Sequence, residues 1–122
     1  MNTQEIANKL VFYCRQGDFS SCYAELYSPD CVSQEPKGAQ WETANGMEEM
    51  AKKGEKWNSM VAEMHGAEVG DPIVAGNHFS CRMWNDMTFT DGNRVQMDEL
   101  CVYEVQDGKI VREEFFYNVP SQ

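Results

Sequence analysis

The sequence lacks the features that identify several classes of protein. No apolar run approaches the ~20 residues that a membrane-spanning helix needs, and the first residues, MNTQEIANKL, are polar, unlike a secretory signal. Basic residues are scarce, with 10 Lys and Arg against 20 Asp and Glu and a net charge of −10. Because nucleic acids and anionic membranes are polyanions, neither is expected as a partner. We therefore expect a cytoplasmic protein.

Metal-binding and cofactor-binding signatures are also missing. The cysteines are odd in number and scattered, with no Cys-x-x-Cys pair, which indicates reduced thiols. His65 and His78 have no ligand-like spacing to any cysteine, so a zinc site is not expected. There is no glycine-rich loop for a phosphate and no hydrolase signature. The sequence thus predicts neither a metal nor a cofactor.

Capping residues in the N-terminal half predict three helices. Asn2 begins the first helix and Gly17 ends it. Asp18 begins a second helix, which Ser28-Pro29 stops. Asn45 begins a third. On that third helix, the i, i+4 pairs Glu48–Lys52 and Glu49–Lys53 are expected on the solvent side.

Strands dominate the rest of the chain. A short strand is predicted from Cys31 to Glu35, and a longer one from about Met60 to Val69. From His78 to Asn118 the sequence indicates a three-stranded meander, because Asp91-Gly92 and Asp107-Gly108 are typical of hairpin turns. Helices segregated from a mostly antiparallel sheet define an α+β fold. We expect one domain over residues 1–122, with a curved sheet wrapped around three helices as a cone.

This order of elements resembles the nuclear transport factor 2-like superfamily, and within it the SnoaL-like and ketosteroid-isomerase-like proteins. The supporting segments are GDFSSCYAELYSPDCVSQEPKG, NGMEEMAKKGEKW and VYEVQDGKIVREEFFYN. The resemblance covers nearly the whole chain. It implies a cystatin-like cone with a pocket at its open end and a homodimer through the outer sheet face. The superfamily includes isomerases, cyclases, hydratases, dehydratases and binding modules, so the resemblance implies the fold more strongly than an activity.

Two residues match sites of the ketosteroid isomerases. Glu35, directly before Pro36, matches their general-base carboxylate, and Tyr27 matches a pocket tyrosine. Leu10 and Leu100 stand where those isomerases place a tyrosine and a protonated aspartic acid that stabilise the enolate. Such stabilisation is usually the largest catalytic contribution. Steroid isomerisation by that mechanism is therefore disfavoured.

Two-residue turns in the meander would set which side chains share a face. The face toward the helices would carry two rows: Met83, Leu100 and Phe115, then Asn85, Asp98 and Tyr117. The outer face would carry the residues of a dimer surface, on which Arg82 pairs with Glu114: Arg82, Trp84, Glu114 and Phe116. Glu99 would also lie on this outer face. A bulge in any strand would exchange the faces locally.

Glu35 and Asp98 are the predicted acid/base residues. Burial at the mouth of the cone would raise the pKa of a carboxyl group toward neutrality. Four other side chains are expected to bind or orient the ligand: Tyr27, Trp41, Asn85 and Tyr117. Alternatively, Asn85 and Tyr117 satisfy Asp98 in a structural network, and Trp41 is a lid.

The sequence predicts a SnoaL-like protein that holds a small, largely apolar ligand in the cone. Carboxylate acid/base chemistry of an isomerase, cyclase or dehydratase type would follow. The alternative is a non-catalytic binding or dimerisation module, in which methionine and aromatic side chains fill the pocket.

Overall fold

Three helices and seven strands make up residues 1–119, the part of the chain that this computed structural model describes. The helices are α1 (Thr3–Gln16), α2 (Phe19–Leu26) and α3 (Gly46–Met60). The strands are β1 (Tyr27–Gln34), β2 (Thr43–Asn45), β3 (Val61–Val69), β4 (Ile73–Ala75), β5 (His78–Phe89), β6 (Arg94–Gln106) and β7 (Lys109–Phe116). They form one curved, unclosed sheet in the order β2-β1-β7-β6-β5-β3, with β4 beside β5. The predicted α+β fold is confirmed.

Capping residues begin and end α1 and begin α2 as predicted, whereas the Asn45 side chain makes no capping hydrogen bond at the start of α3. The Asn2 side chain accepts a hydrogen bond from the Glu5 backbone N–H at 2.8 Å, and the Glu5 carboxylate accepts one from the Asn2 N–H. This capping box begins α1, and Gly17, with φ +71°, ends it. The Asp18 carboxylate accepts a bond from the Ser21 N–H at the start of α2.

The first strand begins earlier than predicted. Tyr27 is the first residue of β1 and pairs with Ile110 of β7, in the parallel pair of the sheet. Ser28-Pro29 therefore lies inside the strand instead of ending a helix. Pairing between β1 and β7 is interrupted between Tyr27 and Val32. Because proline has no N–H to donate, that interruption is where the strand tolerates it.

The turn between β5 and β6, which the Phe89–Asn93 hydrogen bond closes, encloses the three residues 90–92, not two. The Phe89 N–H bonds to the Asn93 carbonyl, and only Gly92 of the loop has a positive φ, +90°. A two-residue primed turn would require Asp91 to have a positive φ as well. The longer loop shifts the register by one residue, so Arg82 lies opposite Leu100 and Trp84 opposite Asp98.

The turn between β6 and β7 has two residues as predicted, but a bulge follows it. Asp107 and Gly108 both have positive φ, and Gln106 pairs with Lys109. An irregularity between Glu104 and Val105 then shifts the pairing by one residue. A bulge of this kind places two residues against one on the neighbouring strand.

The two shifts together reverse the faces of β6 alone. Met83 lies opposite Glu99, and Tyr103 opposite Glu113. The prediction that Asp98 and Leu100 face the helices is therefore wrong. The inner face of β6 carries Glu99, together with the buried Cys101 and Tyr103.

A single apolar core lies between the helices and the inner sheet face. Ile6 and Leu10 of α1, Leu26 of α2 and Ile110 of β7 are fully buried. Phe79 of β5 stacks on Tyr103 at a centroid distance of 4.7 Å. All five cysteines are free thiols. Each helix within residues 1–119 is too short or too polar to cross a bilayer.

Deleting side-chain volume from β7 should show how much the core depends on it. Ile110 is fully buried, whereas Ile73 in β4 is 73% exposed. Ile110→Ala should lower the free energy of unfolding by about 2 to 5 kcal/mol, because a cavity is left where apolar atoms packed. Ile73→Ala, the matched control, should change it by about 0.5 kcal/mol or less. Urea denaturation measures both, and equal losses would contradict the core described above.

Candidate functional site

Lys53 of α3 lies at the centre of a polar cluster on the inner face. Its Nζ donates to Glu35 Oε2 at 2.6 Å and to Ser33 Oγ at 2.8 Å. The ammonium also sits 5.3 Å from the centre of the Phe115 ring. Only 19% of the Lys53 side chain and 13% of the Glu35 side chain are exposed. This is a desolvated ion pair, in contrast to a surface salt bridge.

The parallel pairing of β1 with β7 supplies the next part of the cluster. Ser33 lies opposite Glu113, which is buried. The Ser33 hydroxyl donates to Glu113 Oε2 at 2.7 Å, and the Tyr27 hydroxyl donates to Oε1 at 2.5 Å. Both oxygens of the buried carboxyl group are thus satisfied, as buried polar groups usually are.

Tyr117 closes the other end of the network. It follows β7 directly and continues the inner face on which Glu113 and Phe115 lie. Its hydroxyl donates to Glu35 Oε1 at 2.7 Å. A continuous hydrogen-bonded chain results, which runs in the order Tyr117, Glu35, Lys53, Ser33, Glu113, Tyr27.

Glu99 adds a third carboxyl group to this inner face. Burial raises the pKa of Glu99 to about 7, with further contributions from the negative charges of Glu35 and Glu113, while Lys53 opposes them. These influences are burial and charge, and none is a hydrogen bond. A carboxyl group that titrates near neutrality is suited to both giving and taking a proton.

Burial also shifts the pKa of two other groups of the network, Glu113 and Tyr117. Burial raises the pKa of Glu113, and the hydrogen bonds from Tyr27 and Ser33 and the charge of Lys53 oppose that rise. Burial also raises the pKa of Tyr117, helped by its hydrogen bond to Glu35. Tyr117 is therefore a neutral phenol that donates a hydrogen bond at ordinary pH.

The structure brings together three of the predicted site residues and separates the others. Tyr27, Glu35 and Tyr117 all belong to the network. Asp98 is exposed on the outer face, where Arg82 binds it through two hydrogen bonds of 2.7 and 3.1 Å. The one-residue shift of β6 is the reason that this prediction of its position is wrong.

The remaining two predicted residues lie apart from the network. Asn85 lies opposite Met97 instead of Asp98, because of the same shift. The Trp41 indole N–H donates to the Thr43 carbonyl at 3.0 Å, and its ring packs partly against the core.

The sequence contained a signal for Lys53 but not for Glu99. Lys53 was expected on the solvent side, yet it follows the buried Met50 by three residues and so shares its helix face. In β6, Leu100 and Val102 alternate with Cys101 and Tyr103, so both faces of the strand carry apolar residues and the period-two pattern does not select one.

One open surface depression adjoins the network. It has a volume of about 410 Å³ and is lined by Pro36, Asp98, Phe116, Tyr117 and Asn118. Tyr117 belongs both to this depression and to the hydrogen-bonded chain. Within residues 1–119, no group of three or more His, Cys, Asp or Glu side chains is arranged to hold a metal ion.

The outer face differs from the prediction in its ion pairs. Arg82 binds Asp98 and Glu68, and Glu114 binds Arg112, so the predicted Arg82–Glu114 pair does not form. Leu100 and Phe116 lie opposite each other there and are 48% and 50% exposed.

A model of the SnoaL-like domain matches residues 1–117. The chain belongs to the SnoaL-like domain family. A solved structure from Mesorhizobium loti, described as a candidate SnoaL-like polyketide cyclase, is 33% identical over 96% of this chain and 100% of that one, with a TM-score of 0.90. The resemblance to this family is thereby confirmed.

More distant solved structures share the fold. AclR from Streptomyces galilaeus, described as a candidate hydroxylase, is 18% identical over 95% of this chain and 88% of its own, with a TM-score of 0.69. TerC, crystallised with polyporic acid, is 17% identical over 93% of this chain and 89% of its own, with a TM-score of 0.76. The sequence matches no curated protein.

The raised pKa of Glu99 predicts a loss of stability as the pH rises. The unfolded chain releases this proton near a pKa of ~4.3, whereas the native SnoaL-like domain keeps it to about 7. Between these values the native state binds more protons, so the free energy of unfolding falls with rising pH.

Glu99→Gln has no proton to lose and should avoid that fall. The variant should be more stable than the wild type by about 1 to 3 kcal/mol near pH 8, and the gain should vanish toward pH 4. Urea denaturation across this range measures it. Asp98→Asn on the outer face is the control, and an equal gain there, or none in Glu99→Gln, would refute the assignment.

Proposed function

We propose that this SnoaL-like protein binds a small, largely apolar carbonyl compound at the Glu35–Tyr117 end of the sheet and transfers protons on it. The observation that carries the proposal is the Glu99 carboxyl group, which is partly buried and has no hydrogen bond within residues 1–119. Burial and the charges of Glu35 and Glu113 raise its pKa to about 7. Glu35 itself is paired with Lys53 and accepts a hydrogen bond from the Tyr117 phenol. General acid/base groups are most effective when their pKa is near the working pH.

In this proposal the Glu99 carboxylate takes a proton from the carbon next to the carbonyl group. The electron pair of the broken C–H bond moves to the carbonyl oxygen, which becomes an enolate. Tyr117 turns its hydroxyl from Glu35 to that oxygen and stabilises the charge by a hydrogen bond. Glu35, released from Tyr117, is the second acid/base group and remains paired with Lys53.

Two outcomes for the enolate fit the family. Return of the proton to another carbon gives an isomerisation. Attack of the enolate carbon on a second carbonyl group of the same molecule forms a C–C bond, and the resulting alkoxide takes the proton back from Glu99. The 33% identical relative is described as a candidate polyketide cyclase, which supports the second outcome.

Exchange of ketone protons for deuterium tests the chemistry without knowledge of the natural substrate. The probe is β-tetralone, a fused-ring ketone, in deuterium oxide, followed by proton NMR. The wild type should accelerate exchange at the carbon beside the carbonyl, with a rate that rises through about pH 7, since the carboxylate form of Glu99 is the base. Glu99→Gln and Glu35→Gln should each lose about 100-fold or more.

Glu114→Gln, on the outer face of β7 and outside this depression, is the matched control and should keep full activity. Exchange that survives in Glu99→Gln would exclude Glu99 as the base. The alternative is a non-catalytic binding module. It is correct if β-tetralone binds and so raises the thermal stability of the protein, while neither the wild type nor any variant accelerates exchange of the ketone protons.

The outer face supports a second proposal, a homodimer. Leu100 and Phe116 are half-exposed and adjacent, with Trp84 on the same face and the Arg82–Asp98 pair at the edge. Large apolar side chains flanked by arginine are typical of the centre of an interface.

Leu100→Asp should dissociate that dimer, because it places an unpaired charge in the apolar contact. Light scattering after gel filtration should then show half the wild-type mass. Ile73→Asp, at an exposed position in β4, is the control and should leave the mass unchanged. A monomeric wild type, or a dimeric Leu100→Asp variant, would exclude this interface.

A further inference from the structure

Glu113 has no part in the proposed proton transfer, yet it is the most deeply buried carboxyl group of the network. Only 4% of the residue is exposed, so it does not reach a ligand at the Tyr117 end. The hydrogen-bonded chain nevertheless links it to Glu35 through Ser33 and Lys53. The proposed proton transfer alone does not explain why a carboxyl group is buried at the closed end of this hydrogen-bonded chain.

Burial raises the pKa of Glu113, whereas the hydrogen bonds that it accepts and the charge of Lys53 favour its ionised form. Tyr27 and Ser33 each donate a hydroxyl proton to a different carboxylate oxygen, and ionised carboxylates only accept. Lys53 donates to Ser33 Oγ, which directs the Ser33 proton toward Glu113. The ammonium is thereby fixed from two sides, by Glu35 directly and by Glu113 through one hydroxyl group.

We propose that Glu113 is a positioning residue for the reaction proposed above: through Ser33 it holds Lys53 against Glu35, and its charge acts on Glu99 across the inner face. The proposal rests on the proposed function, because it concerns the same acid/base site. It adds Ser33, Lys53 and Glu113 to that site as residues that act through others.

Four titratable groups of the network interact with Glu99 through their charge or its own. Glu35 follows β1, Lys53 lies on α3, Glu113 on β7 and Tyr117 just beyond β7. The two glutamates raise the pKa of Glu99, and Lys53 lowers it. The phenol of Tyr103 on β6, beside Glu113, is buried and neutral. Removal of the Glu113 charge should therefore shift the titration of Glu99 in the direction opposite to removal of the Lys53 charge.

Carbon-13 NMR of the glutamate side-chain carboxyl groups tests this without any substrate. The Glu99 signal is assigned by its loss in Glu99→Gln. In Glu113→Gln, which keeps the size of the side chain, the Glu99 midpoint should fall by about 0.5 to 1 pH unit from about 7, and in Lys53→Met it should rise. Glu114→Gln, the adjacent residue on the outer face, is the matched control and should not move it.

A second measurement tests the hydrogen-bonded link from Lys53 through Ser33 to Glu113 separately from the effect of charge. Ser33→Ala keeps every charge but removes the oxygen that joins Lys53 to Glu113. Proton exchange of the Lys53 ammonium with water, seen by nitrogen-15 NMR, should become several-fold faster, because one of its hydrogen bonds is lost. This variant keeps the test decisive even if Glu113→Gln does not fold.

The outcomes separate this proposal from the proposed function. An unchanged Glu99 midpoint in Glu113→Gln, or unchanged Lys53 exchange in Ser33→Ala, overturns the positioning role even if ketone exchange proceeds. Shifts in the stated directions support the role even if β-tetralone is not a substrate. In an active protein, Glu113→Gln should move the pH profile of ketone exchange downward together with the Glu99 midpoint, which a purely structural role would not do.

Discussion

A single ammonium group shared among three carboxyl groups is the constraint on which the site depends. Lys53 pairs directly with Glu35, reaches Glu113 through Ser33, and acts by charge on Glu99. Removing charges from water is expensive, and an ion pair recovers that cost only with good geometry and further hydrogen bonds. Glu35 and Glu113 have those bonds. In the described part of the chain Glu99 has none, and burial raises the pKa of its carboxyl group to about 7.

The register of the sheet decides whether Asp98 or Glu99 lies on the inner face with Lys53. A three-residue loop before β6 and a bulge after Glu104 each move β6 by one residue relative to a neighbour. Because side chains alternate faces along a strand, each shift alone would place the strand out of step with one neighbour. Together they keep β5 and β7 in phase and reverse only β6. Glu99 thereby faces Lys53, and Asp98 faces Arg82.

The fold and half of the site could be predicted from the sequence, for physical reasons. Helix caps and the Asp107-Gly108 turn are local features, so the residues themselves specify them. Glu35 and Tyr117 were predicted on the correct face of the sheet. Each directly follows a strand, β1 or β7, whose orientation the shift of β6 does not alter. Asp98 was misplaced because loop length depends on the φ of one residue, Asp91, which Asp-Gly spacing does not determine. Lys53 was predicted on the solvent side because Glu49 is its i, i+4 partner on α3. Its spacing of three residues from the buried Met50 indicated the inner side and was given less weight.

The contrast between the two faces of the sheet argues for a function of the inner one. On the outer face, Asp86 and Asp98 each lie against an arginine, Arg94 and Arg82, with two hydrogen bonds apiece. Glu99 directly follows Asp98 in the sequence, but it has no arginine partner among the residues that the structure describes and shares one lysine with two other acids. Locally unfavourable groups of this kind are expected chiefly at functional sites. A filled, purely structural core gives no reason to keep an ionisable group there, whereas proton transfer requires one.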